Sequence, residues 1–215
     1  LATLGTVPAK ADVIRFYFDN MAAVDDDPPG PPVVEVGPVR AGFIQFSLAD
    51  YYNGISINAA LPPGPVPNWG ALGLDDLQVS FGGIDIRLDD LANPYPAGPL
   101  GAWSLNVAIP DLPNPDDLKQ PNVMPTVLHL RLTTTQEDLV FGLAAPGQPA
   151  LLGEYGTDDV DVCFSTPPAQ TYCSVSGVLS GPFYVVPEPT ALAVLGVGLL
   201  GLAIVRRRAG SDAVP

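Results

Sequence analysis

Residues 77–88 read LQVSFGGIDIRL: two β-rich runs, Leu77–Phe81 and Ile84–Leu88, joined by Gly82-Gly83. A pair of glycines between such runs signals a two-residue hairpin, because the tight turn that follows strand twist needs positive φ at its centre, where glycine meets no steric cost. The same kind of run recurs along the chain. Strands are expected near Val13–Phe18, Phe43–Leu48, Ile55–Ala59, Ser104–Ile109, Val127–Leu132, Leu139–Leu143, Val160–Phe164 and Ser174–Leu179. In Val127–Leu132, Leu128, Leu130 and Leu132 share one face, while Val127, His129 and Arg131 share the other. Between the runs lie loops dense in Pro, Asp, Asn and Gly, at residues 25–32, 61–70, 93–101 and 110–125.

The composition agrees. The 215 residues include 26 Pro and 22 Gly, which leaves few stretches long enough for helices and favours short strands with many turns. Charged residues are 15% against 47% hydrophobic, so the chain is not one held open by its own charge. No fixed-period repeat is visible, which argues against a solenoid. The sequence therefore predicts an all-β ectodomain over 12–186, an antiparallel β-sandwich of jelly-roll type.

Both ends depart from that pattern. Residues 190–205 read TALAVLGVGLLGLAIV, without a charge, and Arg206, Arg207 and Arg208 follow at once. As a helix this run is about 24 Å long, short of a bilayer core of about 30 Å, and snorkelling arginines or local thinning can make up the difference. A single transmembrane helix is expected there, with the Arg cluster and residues 209–215 cytoplasmic and everything before the span outside. Gly196, Gly198 and Gly201 form a G-x-G-x-x-G inside this span. A dinucleotide site would need that pattern in a βαβ unit. At the other end, the apolar Leu1–Val7 and Ala9-Lys10-Ala11 before Asp12 have the form of the tail of an export signal, assigned here to residues 1–11.

Pro187-Glu188-Pro189, the apolar span and the Arg cluster stand in an order and spacing that resembles the PEP-CTERM protein-sorting signal of Gram-negative bacteria. The resemblance covers about residues 185–208, a tenth of the chain. It implies that Pro187, Glu188 and Pro189 are the recognition element for an exosortase, a membrane-embedded cysteine transpeptidase-like enzyme. It also implies export across the inner membrane, a membrane anchor before processing, and delivery to the cell envelope or to an exopolysaccharide-rich, biofilm-type extracellular matrix.

The chain carries 23 acidic and nine basic residues, a net −14. Of the acids, only Glu188 and Asp212 fall outside 12–186, and the bases inside are Arg15, Arg40, Arg87, Lys119 and Arg131. The ectodomain therefore holds 21 acids against five bases, a net −16. Nucleic acid is excluded as a partner, since neutralising phosphates takes clustered Lys and Arg. No catalytic set is visible. His129 is the single histidine and is expected on the sheet surface, and carboxylate pairs of glycosidase type carry no weight among so many acids. The expectation is a structural or interaction protein, not an enzyme. The alternatives are a carbohydrate-binding sandwich, calcium-assisted or not, and at a further remove a glycosidase.

Three sets of residues carry the finer expectations. Cys163 and Cys173, with nine residues including Pro167-Pro168 between them, are read as a disulfide formed in an oxidising compartment. No cofactor is expected, but Asp158, Asp159 and Asp161 are the first choice for a weak calcium site, with an acidic solvated surface as the alternative. Trp69 and Tyr95, in loops beside Asn and Pro, are the aromatics placed to stack on a sugar ring, with packing of the loop onto the sandwich as the alternative.

Overall fold

A computed structural model describes residues 13–24, 34–36, 38–61, 65–92, 100–111, 123–157 and 171–185. Strand β1 (Val13–Val24) shows how the sequence builds the sheet. Ile14, Phe16 and Phe18 alternate into the core, but the next buried residues are Met21 and Ala23, so the parity changes once along the strand. The change falls at Asn20, whose φ of 53° and register shift mark a β-bulge. Asparagine tolerates this left-handed conformation better than most residues, and its backbone N–H donates to Val39 O at 2.9 Å.

The remaining strands are β2 (Val34–Val36), β3 (Arg40–Ser47), β4 (Ile55–Leu61), β5 (Leu74–Phe81), β6 (Ile84–Arg87), β7 (Ala102–Ile109), β8 (Val127–Thr133), β9 (Glu137–Leu143), β10 (Ala150–Thr157) and β11 (Thr171–Val185). All pair antiparallel in a single sheet of order β4-β7-β8-β9-β10-β11-β1-β3-β5-β6, with β2 alongside β1. The hairpin read at Gly82-Gly83 is present: Phe81 pairs with Ile84, and Gly82 has φ 58°.

The all-β, antiparallel expectation holds, but the two-sheet, jelly-roll sandwich does not. The ladder continues without a break through β10, β11 and β1, because the long β11 pairs with both neighbours and bends at bulges instead of ending. The sheet curls into a half-barrel whose concave face is the core. Ring contacts span it: Phe18 on β1 lies 5.0 Å from Phe141 on β9, and Phe81 on β5 lies 5.6 Å from Tyr155 on β10. Between the two ends of the curl, Trp103 Nε1 on β7 donates to Leu91 O, in the 3-10 turn after β6, at 3.0 Å.

Other differences from the sequence reading are local. Leu48 was expected to end a strand but opens a short helix, α1 (Leu48–Asn53), whose N-cap Ser47 accepts from Asp50 N–H at 3.1 Å. Strand β10 was not expected, β11 is longer than expected, and the expected strand at Val160–Phe164 lies outside the described residues. Among the described residues no helix is long and apolar enough to cross a membrane, and the expected span at 190–205 lies outside them. Asp12–Val185 forms one compact unit.

Candidate functional site

In an antiparallel sheet, residues paired across strands point to the same side. With the concave face given over to the core, the register therefore lays out the convex face row by row. One row runs Tyr17 (β1), Phe43 (β3), Gln78 (β5) and Arg87 (β6); the next runs Phe183 (β11), Arg15 (β1), Gln45 (β3) and Asp76 (β5). Spanning three strand spacings, the first row is about 14 Å long.

The side chains of these rows are fixed against one another. The Arg15 guanidinium lies 4.0 Å from the centroid of the Phe43 ring, and that of Arg40 lies 3.6 Å from the centroid of Tyr17. Tyr17 in turn meets Phe43 at 6.3 Å and Phe183 at 5.5 Å. Arg15 Nε donates to Gln45 Oε1 at 2.9 Å and its Nη2 donates to the same oxygen, while Arg40 Nε donates to Asp19 Oδ1 at 3.0 Å. A guanidinium stacked on a ring, with Nε tied to an acceptor, is held in one orientation. Phe183 remains 46% exposed at the end of this cluster, whereas Tyr184, paired with the core residue Ile14, faces the other side of the sheet.

A second feature of the convex face is an open groove of about 710 Å³ over β8, β9 and β10, lined in part by Val127, His129, Val140, Gly142, Leu152 and Glu154. Gly142 opens its floor, for a Cβ there would stand 2.4 Å from Leu128 O. His129 points outward as the alternation of β8 requires, with Leu128, Leu130 and Leu132 buried behind it. Its cross-strand neighbours are Asn106 and Gly142, neither of which is an acid that could polarise the imidazole.

The sequence-predicted site residues fall as follows. Trp69 packs its ring 5.3 Å from that of buried Trp103, and its Nε1 is shielded from solvent with no hydrogen-bond partner among the described residues. It is placed by packing. Tyr95, the acidic set Asp158, Asp159 and Asp161, the sorting residues Pro187, Glu188 and Pro189, and Arg206, Arg207 and Arg208 lie outside the described residues. Cys173 is buried on β11 opposite Tyr155, and Cys163 also lies outside them. Among the described residues, no group of three or more His, Cys, Asp or Glu is placed to hold a metal ion.

The aromatic and arginine cluster was missed. Its signal was in the sequence: in β1, Arg15, Tyr17 and Asp19 alternate with the core residues Ile14, Phe16 and Phe18.

Residues 185–208 match the model of the PEP-CTERM protein-sorting motif. No curated protein matches the chain, and no solved structure matches it.

Proposed function

We propose, from the match of residues 185–208 to the PEP-CTERM protein-sorting motif, that this chain is an exported substrate of an exosortase with the following role. The protein is a non-enzymatic structural or interaction component of the envelope or extracellular matrix of a Gram-negative bacterium, anchored by a helix at 190–205 until it is processed. The motif match is the observation that carries this reading. Replacing Pro187, Glu188 and Pro189 by alanine in the host is expected to leave the protein in the membrane fraction at its unprocessed size. Unchanged size and location of that variant would remove the sorting role.

A second reading is favoured by the exposed ring of Phe183 beside two stacked arginines. In this reading the β domain binds polysaccharide. Exposed aromatic faces take the apolar side of a pyranose, and amide and guanidinium groups take its hydroxyls. Export also favours pairing of Cys163 with Cys173, since both belong to the exported part. A non-reducing peptide map that finds both thiols alkylated would end that assignment.

A further inference from the structure

We propose that the convex face of β11, β1, β3, β5 and β6 is a binding platform for a carboxylate-bearing polysaccharide strand. The proposal rests on the polysaccharide reading above and names its surface and its ligand class. Three observations lead to it.

The first is the distribution of charge. Four cationic side chains are described, Arg15, Arg40, Arg87 and Arg131, and the first three stand on this face. Asp19, Asp75, Asp76 and Asp85 lie on the same strands, so this part of the sheet sets three arginines against four aspartates in a domain of net −16. A polyanion that is repelled by the domain as a whole meets three guanidiniums here.

The second is preorganisation. Arg40 has its Nε committed to Asp19 and its plane held on Tyr17, while its side chain remains 54% exposed. Its two terminal nitrogens form an oriented fork, the geometry that suits a carboxylate, and little side-chain entropy is left to lose on binding. Arg15 is fixed in the same manner by Phe43 and Gln45.

The third is shape. The surface is an open sheet face with the exposed ring of Phe183 at one end, the Gln78 amide toward the middle and Arg87 at the far edge. An acidic peptide is better held in a groove or at a strand edge, where its backbone can be paired. A chain of flat pyranoses needs neither. One of its rings lies on Phe183, its hydroxyls reach Gln78, and its carboxylates reach the arginines.

The test uses the full chain in detergent micelles with a chelator present, so that calcium bridges do not contribute. Retention is measured on immobilised polygalacturonate, on dextran as the neutral glycan, and on poly-glutamate as the acidic peptide, all at about 0.1 M salt, where the screening length is about 10 Å. The expected result is retention on polygalacturonate, weakened at least tenfold by Arg40→Gln and by Phe183→Ala and unchanged by Leu152→Ser in the other groove. Circular dichroism of each variant establishes that it is folded. The proposal is overturned by a folded wild-type protein that ignores polygalacturonate. It is equally overturned by equal retention on poly-glutamate that Phe183→Ala leaves intact, which is simple ion pairing, or by equal loss with Leu152→Ser. The alanine variant of residues 187–189 should keep full retention, so failure of sorting and failure of binding are read separately.

Discussion

If the sheet is curled, Phe18 and Phe141 must be energetically coupled. In the hydrogen-bonded order, β9 and β1 are separated by β10 and β11, so a flat sheet would hold their residues three strand spacings apart, about 14 Å. Their rings instead meet edge to face at 5.0 Å with planes at 76°. Such a pair contributes about 0.5–1.5 kcal/mol beyond the burial of each ring. Alanine is a poor probe, because each Phe→Ala would cost about 3–5 kcal/mol and the pair could exhaust a stability of about 5–15 kcal/mol. Leucine keeps most of the apolar volume and removes the ring geometry. Phe18→Leu, Phe141→Leu and the double variant, each unfolded in urea, should give a coupling of about 1 kcal/mol. Distant sites add to within about 0.3–0.5 kcal/mol, so the coupling is resolvable. Additivity within that margin, with all variants folded, would refute the curl.

Gly82→Ala should lower stability by more than the ~1–2 kcal/mol of a left-handed alanine, since its Cβ would stand 2.5 Å from Tyr155 Oη; thermal unfolding measures it, and a Tm unchanged within about 2 °C counts against the turn geometry. Tyr51 donates its hydroxyl to Val123 O at 2.8 Å, and burial pushes its pKa up to about 12. Its proton is held more tightly folded than unfolded, so the Tyr51 contribution is complete below pH 10 and is lost between pH 10 and about 12; Tyr51→Phe should flatten the stability profile in that window and nowhere below it. At matched ionic strength, sodium chloride and millimolar calcium should raise the Tm about equally, because screening relieves the self-repulsion of an acidic domain. An additional calcium-specific rise that Asp159→Asn with Asp161→Asn abolishes would establish a site instead.

Much of the sheet was legible because its signals are local. Gly82-Gly83 states the hairpin, and Leu128, Leu130 and Leu132 state a half-buried strand whose outward His129 the structure shows. What could not be read is what local signals do not encode. Whether β11 ends one sheet or continues into β1 depends on pairing between residues far apart in sequence, such as Ile14 with Tyr184, 170 positions on. A sandwich and a curled single sheet present the same alternation to a reader of the sequence. Strand β10 was hidden by Gly153 and Gly156, which interrupt the β-rich composition that marks a strand. Gly153 is required there, for a Cβ would stand 1.9 Å from Val140 O. Helix α1 was hidden because Ser47 and Asp50, its capping pair, sit inside a run that reads equally well as the end of β3. The convex cluster joins Arg15 and Tyr17 to Phe43 and Phe183, an assembly that exists only once the register is known.

The register also bears on how sorting and folding coexist in one chain. The last pair of the sheet is Val13 with Val185, and the sorting motif begins at residue 185. No linker in the sequence separates the two. Every strand of the sheet is complete by Val185, so a cut at or beyond Pro187 leaves all eleven intact. The same adjacency puts Phe183 and Tyr184 within six residues of Pro189, while Arg15 and Tyr17 follow closely on the expected export cleavage after Ala11. The convex cluster is built mainly where β1 meets β3, through Arg15, Tyr17, Arg40 and Phe43, and β11 adds Phe183 where it pairs with β1. The rows of that surface draw on β11, β1, β3, β5 and β6, so the surface proposed for polysaccharide is a property of the folded domain and not of any one segment.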